Sequence, residues 1–255
     1  MLSLVNHAIK PPRWVEPPWL RGPVAQGHEI CLVIGVNRSS PRRESQRAGQ
    51  LSRGVRSSSG PARRGEALRV NNGGHWMVKR VLVTWSGGKD STMALDLLMA
   101  SPEWEVVGLL TTVSSEYDRV SMHGVRRELL LEQASCLGLP LDIVWLEPRE
   151  SNETYQAKMA GKLLDYRARG VSNVAFGDIF LEELRHYREE NLAKLGMEAT
   201  FPLWGRDTRQ EAVEFIEKGF QAIITCVDTR LLGRSFVGRA LDEALLRELP
   251  DGVDP

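Results

Sequence analysis

From residue 78 onward, short apolar runs alternate with longer stretches in which apolar residues return every three or four positions. Residues 78–85 are of the first kind and end in a glycine turn, the mark of a buried strand. Residues 90–100 are of the second kind, with Met93, Ala94, Leu97 and Leu98 on one helical face. The alternation then repeats. Strands are predicted over 104–113, 141–146, 173–177, 198–203 and 222–227, and helices over 125–137, 153–169, 181–195, 209–218 and 240–249. Strands this rich in Val, Ile and Leu, each followed by a helix, predict an α/β fold. Its expected core is a doubly wound, mainly parallel sheet of five or six strands with helices on both faces.

Residues 1–76 break the pattern. They are rich in Pro, Gly, Ser and Arg, as in 39–43 and 56–61, and only 30–36 resembles a strand, with no evident partner nearby. Charge sharpens the division. The formal net charge of the chain is zero, yet 1–76 hold 12 basic and 4 acidic residues and the remainder holds 21 and 29. Such a segment buries too little apolar surface to offset its ordering entropy, so it is expected to be a disordered basic extension. Met77 stands directly before the first convincing strand, and the preferred reading places the start of translation there. The rival reading, an arm that binds nucleic acid, rests on the basic charge alone. The folded domain expected is 77–255.

Cysteine usage bounds the chemistry. Cys31, Cys136 and Cys226 form no C-x-x-C pair, which excludes the usual zinc and dithiol signatures. Cys136 and Cys226 sit among apolar neighbours and are expected in the core. A disulfide framework is not expected, which points to the reducing cytoplasm. No apolar run approaches the ~18–20 residues that span a bilayer, so no membrane partner is expected.

The candidate chemistry begins at Ser86-Gly87-Gly88-Lys89-Asp90-Ser91, between the first predicted strand and the first helix. In an open α/β sheet, ligands bind beyond the carboxyl ends of the strands. The two glycines let backbone approach an anion without a Cβ in the way, and the helix amides beyond them point at phosphate. Ser86 and Ser91 add hydroxyl donors and Lys89 a point charge. Asp90 is expected to hold Mg2+ or to bond the amides of the loop. The spacing is not that of the common G-x-x-x-x-G-K-[ST] loop.

This loop resembles the S-G-G-x-D-S hallmark of the pyrophosphate-loop, adenine nucleotide alpha-hydrolase-like superfamily. Further segments follow in order: 108–112, 121–124, 138–141, Gly177-Asp178, 201–207 and 220–228. Together they resemble the diphthine–ammonia ligase family, in particular its short bacterial-type members, over about 78–255. The resemblance implies an enzyme that cleaves ATP to AMP and pyrophosphate, with Mg2+, to activate a carboxylate or amide for attack by ammonia. Family members continue past the last helix into an acidic, Gly-rich segment, and residues 252–255 stand where that segment would begin. A nucleotide-binding protein without turnover is therefore the rival reading.

Several other residues take roles on the same resemblance. Asp178, at a strand end, is expected to hold Mg2+ or orient the acceptor, with a helix cap as the alternative. Glu182, Arg185, Arg188 and Glu189 share a helix face; Arg188 is the one expected to meet an anionic group, while Glu182 and Arg185 read as surface pairing. His123 precedes the second helix and is expected to assist proton transfer from ammonia. Thr84 and Thr111 line the adenine pocket in this reading. Asp118 and Arg119 are candidate substrate contacts, Trp204 reads as packing, and Asp207 as a cap for the helix from 209.

Overall fold

The computed structural model describes residues 31–35, 78–121 and 124–255. Strand β1 (Cys31–Gly35) stands alone before the main domain, which opens with β2 (Lys79–Thr84), α1 (Lys89–Ala100) and β3 (Trp104–Ser114). A short β4 (Arg119–Val120) precedes α2 (Arg127–Leu137), β5 (Leu141–Leu146), α3 (Asn152–Ala168) and β6 (Asn173–Ala175). The chain then runs through α4 (Glu182–Lys194), β7 (Glu198–Thr200), α5 (Thr208–Glu217), β8 (Gln221–Cys226) and α6 (Glu243–Glu248).

Five strands run parallel in the order β5-β3-β2-β6-β7. The sixth, β4, folds back antiparallel on the last residues of β3, pairing Val113 with Val120 and Ser114 with Arg119. The α/β, mainly parallel fold expected from the pattern is thus present. Residue alternation explains its two covered faces. Val81 and Val83 point to the side occupied by Leu95 and Leu98 of α1 and by Leu130 and Ala134 of α2. Leu82, between them, points to the other side, against Leu163 and Tyr166 of α3 and Leu192 of α4.

Strand β2 is central. The chain leaves it in one direction for β3 and β5, then crosses back to β6 and β7 on its other flank. The order therefore reverses between β2 and β6. In open α/β sheets, the crevice at such a reversal is where ligands sit.

Three expectations are corrected. The run at 30–36 does have a partner: β1 pairs antiparallel with β8, from Cys31 opposite Cys226 to Gly35 opposite Gln221. The partner lies at the far end of the chain, where local pattern cannot reveal it. By the same token β8 leaves the main sheet for a two-stranded one. A cluster with Met93 and Ala94 of α1, Phe215 of α5, Ile224 of β8 and Leu245 of α6 packs there. Finally, Cys136 and Cys226 are exposed rather than in the core. Cys136 falls off the α2 stripe formed by Leu130, Gln133 and Ala134, and Cys226 ends its strand beyond the covered stretch. The rest of 1–76, with the expected extension and the start at Met77, lies outside the described residues, as does His123. No helix among the described residues is long and apolar enough to cross a membrane.

Candidate active site

The turn after β2 delivers the glycine-rich segment to the reversal point. Gly87 takes a left-handed φ of 75°, which a side chain would strain. Gly88 is the N-cap of α1 with extended backbone and no capping side chain, so the first-turn amides are left to other acceptors. The loop braces itself with hydroxyls. Ser86 Oγ lies 3.2 Å from Ser91 Oγ and accepts from the Gly88 amide at 3.3 Å. Ser91 Oγ in turn donates to the Gly88 carbonyl at 3.0 Å.

Gly177, just beyond β6, closes the other wall. A Cβ there would stand 3.0 Å from the Asp90 carbonyl carbon and from the Ser91 amide nitrogen, so the two strand-end turns touch backbone to backbone. Thr84 adds a second tie, its hydroxyl donating to the Ala175 carbonyl at 3.0 Å. The structure thus brings Thr84, Ser86, Gly87, Gly88, Asp90, Ser91 and the Gly177-Asp178 turn to one crevice.

Asp178 is largely buried and is held by Arg188 of α4. Arg188 Nη2 donates to Asp178 Oδ1 at 3.1 Å, and Nε approaches Oδ2 at 2.7 Å. The guanidinium also lies over the Phe176 ring, 4.2 Å from its centroid. Burial pushes the Asp178 carboxyl above its usual range, the Arg188 charge and hydrogen bond pull it back, and Asp90 pushes it up again. That last influence means Asp90 and Asp178 feel each other as like charges, an arrangement that welcomes a cation. Among the described residues no three His, Cys, Asp or Glu side chains group to hold a metal ion. Mg2+ bound with nucleotide needs only one or two protein carboxylates, its other ligands being phosphate and water, and Asp90 and Asp178 are the carboxylates beside the loop that could serve.

Lys89 does not reach the loop mouth. It is 5% exposed, and its ammonium lies 2.6 Å from Asp90 Oδ1. Its pKa is raised: burial, the largest single influence, pulls it down, but Asp90, Glu211 and Asp254 together outweigh that pull. Glu211 of α5 is the buried acid behind it, with neither oxygen hydrogen-bonded among the described residues. Thr111 is likewise not at a strand end, since β3 runs on to Ser114. It sits beside Ile143 of β5, and its buried hydroxyl lacks a hydrogen-bond partner among the described residues.

The remaining expectations fall as follows. Asp207 caps α5, accepting from the Gln210 amide at 2.8 Å. Arg185 pairs with Glu189 at 2.8 Å and lies over Trp204 at 4.7 Å, a surface arrangement. Asp118 and Arg119 are engaged locally: Asp118 accepts from Arg127, at the start of α2, at 2.5 and 3.1 Å, and Arg119 donates to the Gly124 carbonyl at 2.7 Å. Sequence reasoning missed Gln133 and Glu211. Each is a polar residue inside an apolar helical stripe, Gln133 with Leu130 and Ala134, Glu211 with Ala212 and Phe215, and that intrusion was the available signal.

Comparison with known families bears on the same stretch. Residues 79–199 match the diphthamide synthase N-terminal domain. The matched stretch runs from β2 into β7 and so contains the glycine-rich loop 86–91, Asp178 and Arg188. It agrees with the resemblance to diphthine–ammonia ligases drawn from the sequence. The diphthamide synthase family is one of ATP-utilising, pyrophosphate-loop enzymes. No curated protein matches the chain.

Proposed function

We propose that the chain is an ATP-dependent ligase resembling diphthine–ammonia ligase, which activates a carboxylate or amide as an adenylate and passes it to ammonia. The observation that carries this reading is the contact between the two strand-end turns at the reversal point, Gly177 against Asp90-Ser91. It supports the reading by bringing the glycine-rich loop close to the Asp178–Arg188 pair. In this reading the amides of the 87–91 turn and the Ser86 and Ser91 hydroxyls bind the phosphates. Thr84 and Thr111 flank the adenine, and Lys89 supplies positive charge from behind the loop. Asp90 and Asp178 would hold Mg2+, which would supply charge neutralisation at the phosphates.

For a carboxylate acceptor, one oxygen attacks the α-phosphorus and the bond to the β-phosphate oxygen breaks, releasing pyrophosphate. Ammonia then attacks the acyl carbon, AMP leaves with the bonding electron pair, and a proton is lost to give the amide. Arg188 orients the acceptor carboxylate by exchanging one of its bonds to Asp178. His123 is the proposed proton acceptor in the second step. The cytoplasmic setting expected from cysteine usage would supply both ATP and ammonia.

Chromatography of the nucleotide products, with ammonium and a panel of carboxylates, tests the chemistry. AMP and pyrophosphate are expected; ADP and phosphate would refute it. Calorimetric titration of Mg-ATP is expected to show binding weakened by about 10-fold in Asp90→Ala, roughly 1.4 kcal/mol. One observation favours the rival reading of nucleotide binding without turnover. Arg188 is engaged with Asp178 and Lys89 is buried against Asp90, so none faces an acceptor until displaced. Mg-ATP binding with no AMP formed against any acceptor would decide for that reading.

A further inference from the structure

Gln133 is the polar residue on the buried stripe of α2, 3% exposed, and its amide is used at both ends. Its Oε1 accepts from the Trp85 indole at 3.1 Å, and its Nε2 donates to the Gly87 carbonyl at 3.4 Å. The fit leaves no room for error: a Cβ on Gly87 would stand 2.7 Å from Gln133 Oε1. This is a side chain from a different element reaching the loop from beneath.

What it grips is one peptide plane. The Gly87 carbonyl and the Gly88 amide belong to a single trans peptide, so they point in opposite directions. With the carbonyl turned down to Gln133, the Gly88 N–H turns up, where it meets Ser86 Oγ at 3.3 Å on the half-exposed side of the loop. Glycine tolerates either orientation of such a plane, because both signs of φ are open to it. The backbone alone therefore does not choose whether the crevice sees a donor or an acceptor. A phosphate requires the donor; a carbonyl lone pair in its place repels.

We propose that Gln133 is a positioning residue for the phosphate loop, fixing the Gly87–Gly88 peptide so that the Gly88 N–H faces the phosphates of the nucleotide. The inference rests on the ATP reading above and deepens it. Gln133 touches no ligand; it acts through the peptide it holds. Trp85 belongs to the device, since its indole fixes which end of the Gln133 amide faces Gly87.

The test uses the full chain labelled with 15N-glycine, alongside Gln133→Met, which keeps the length and loses both hydrogen bonds. On titration with Mg-ATP, the Gly88 amide proton of the parent is expected to move downfield as it bonds phosphate. In Gln133→Met that shift is expected to vanish and affinity to fall by about 10-fold, with thermal unfolding remaining cooperative. Equal affinity and the same Gly88 shift in both proteins would overturn the proposal and leave the ATP reading standing. Should Gln133→Met fail to fold, the parent still decides: Mg-ATP binding without movement of the Gly88 amide overturns it. Absence of Mg-ATP binding in the parent would remove both readings.

Discussion

Glu211 offers a direct test of how the charges behind the loop are balanced. Burial pushes its carboxyl up to about 7 from an ordinary 4.5; Lys89 and Arg206 pull it down, and Asp90 and Glu214 push it up. In the window between those values the folded chain holds a proton that the unfolded chain releases. Its contribution to stability is therefore fully present below 4.5 and is lost as pH rises through 7. At roughly 1.4 kcal/mol per pH unit, the loss amounts to about 3 kcal/mol. Glu211→Gln keeps the shape and removes the titration. Lys89, whose pKa is raised above an ordinary 10.5, stays charged across the window in the parent and adds no titration of its own there. Urea unfolding of both proteins from about pH 5 to about pH 8 measures the difference. The stability of the parent relative to the variant is expected to fall by about 2 to 3 kcal/mol over that range. Two parallel curves would mean that Glu211 ionises as an exposed carboxylate does, and the buried geometry drawn here would be wrong.

Other predictions follow from the crevice and its surroundings. Gly177→Ala forces a methyl against the Asp90-Ser91 backbone and is expected to destabilise by about 1–3 kcal/mol in urea unfolding, weakening Mg-ATP binding with it. Arg188→Leu leaves the Asp178 carboxylate buried without its partner. Since Arg188 is 27% exposed at the side chain, about 1–3 kcal/mol is expected, partly recovered by adding Asp178→Asn. ATP titrated in the presence of a chelator is expected to bind about 10-fold more weakly than Mg-ATP, because Asp90 and Asp178 then face the phosphates uncompensated. Cys136, exposed on α2, is expected to react with a thiol reagent in the native protein; protection until unfolding would place it in a core after all.

Much of the fold was legible because its signals are local. The predicted strand at 141–146 coincides with β5, and α1, α3 and α5 each begin one residue before the expected start. Apolar periodicity, the Gly-Gly turn and the Asp207 cap are all read within a few residues of chain. What was not legible depends on contacts made across it. The pairing of β1 with β8 joins residues from opposite ends of the sequence, and no window contains both. Cys136 has Leu137 and Ala134 as neighbours in sequence, yet α2 turns it to solvent. The short β6 and β7 end at Ala175 and Thr200, and the strand-like run 201–203 does not extend β7: a turn begins at Pro202, which has no amide to donate to a ladder.

The site residues divide along the same line. The loop and Asp178 announce themselves by type and position, while the groups that set their geometry look like ordinary helix residues. Yet the charges at the crevice argue that geometry decides. Asp90, Asp178 and Glu211 feel Lys89, Arg188 and Arg206 as basic neighbours, and these cations are already engaged by acids, Arg206 by Glu214. Side-chain charge here does not by itself attract a polyphosphate. In the ATP reading proposed above, attraction comes instead from oriented backbone amides and from a cation brought in with the ligand. Amides serve only when their planes are fixed, so the unassuming residues carry the weight: Gly177, which lets the two turns meet, and Gln133, which holds the Gly87 carbonyl.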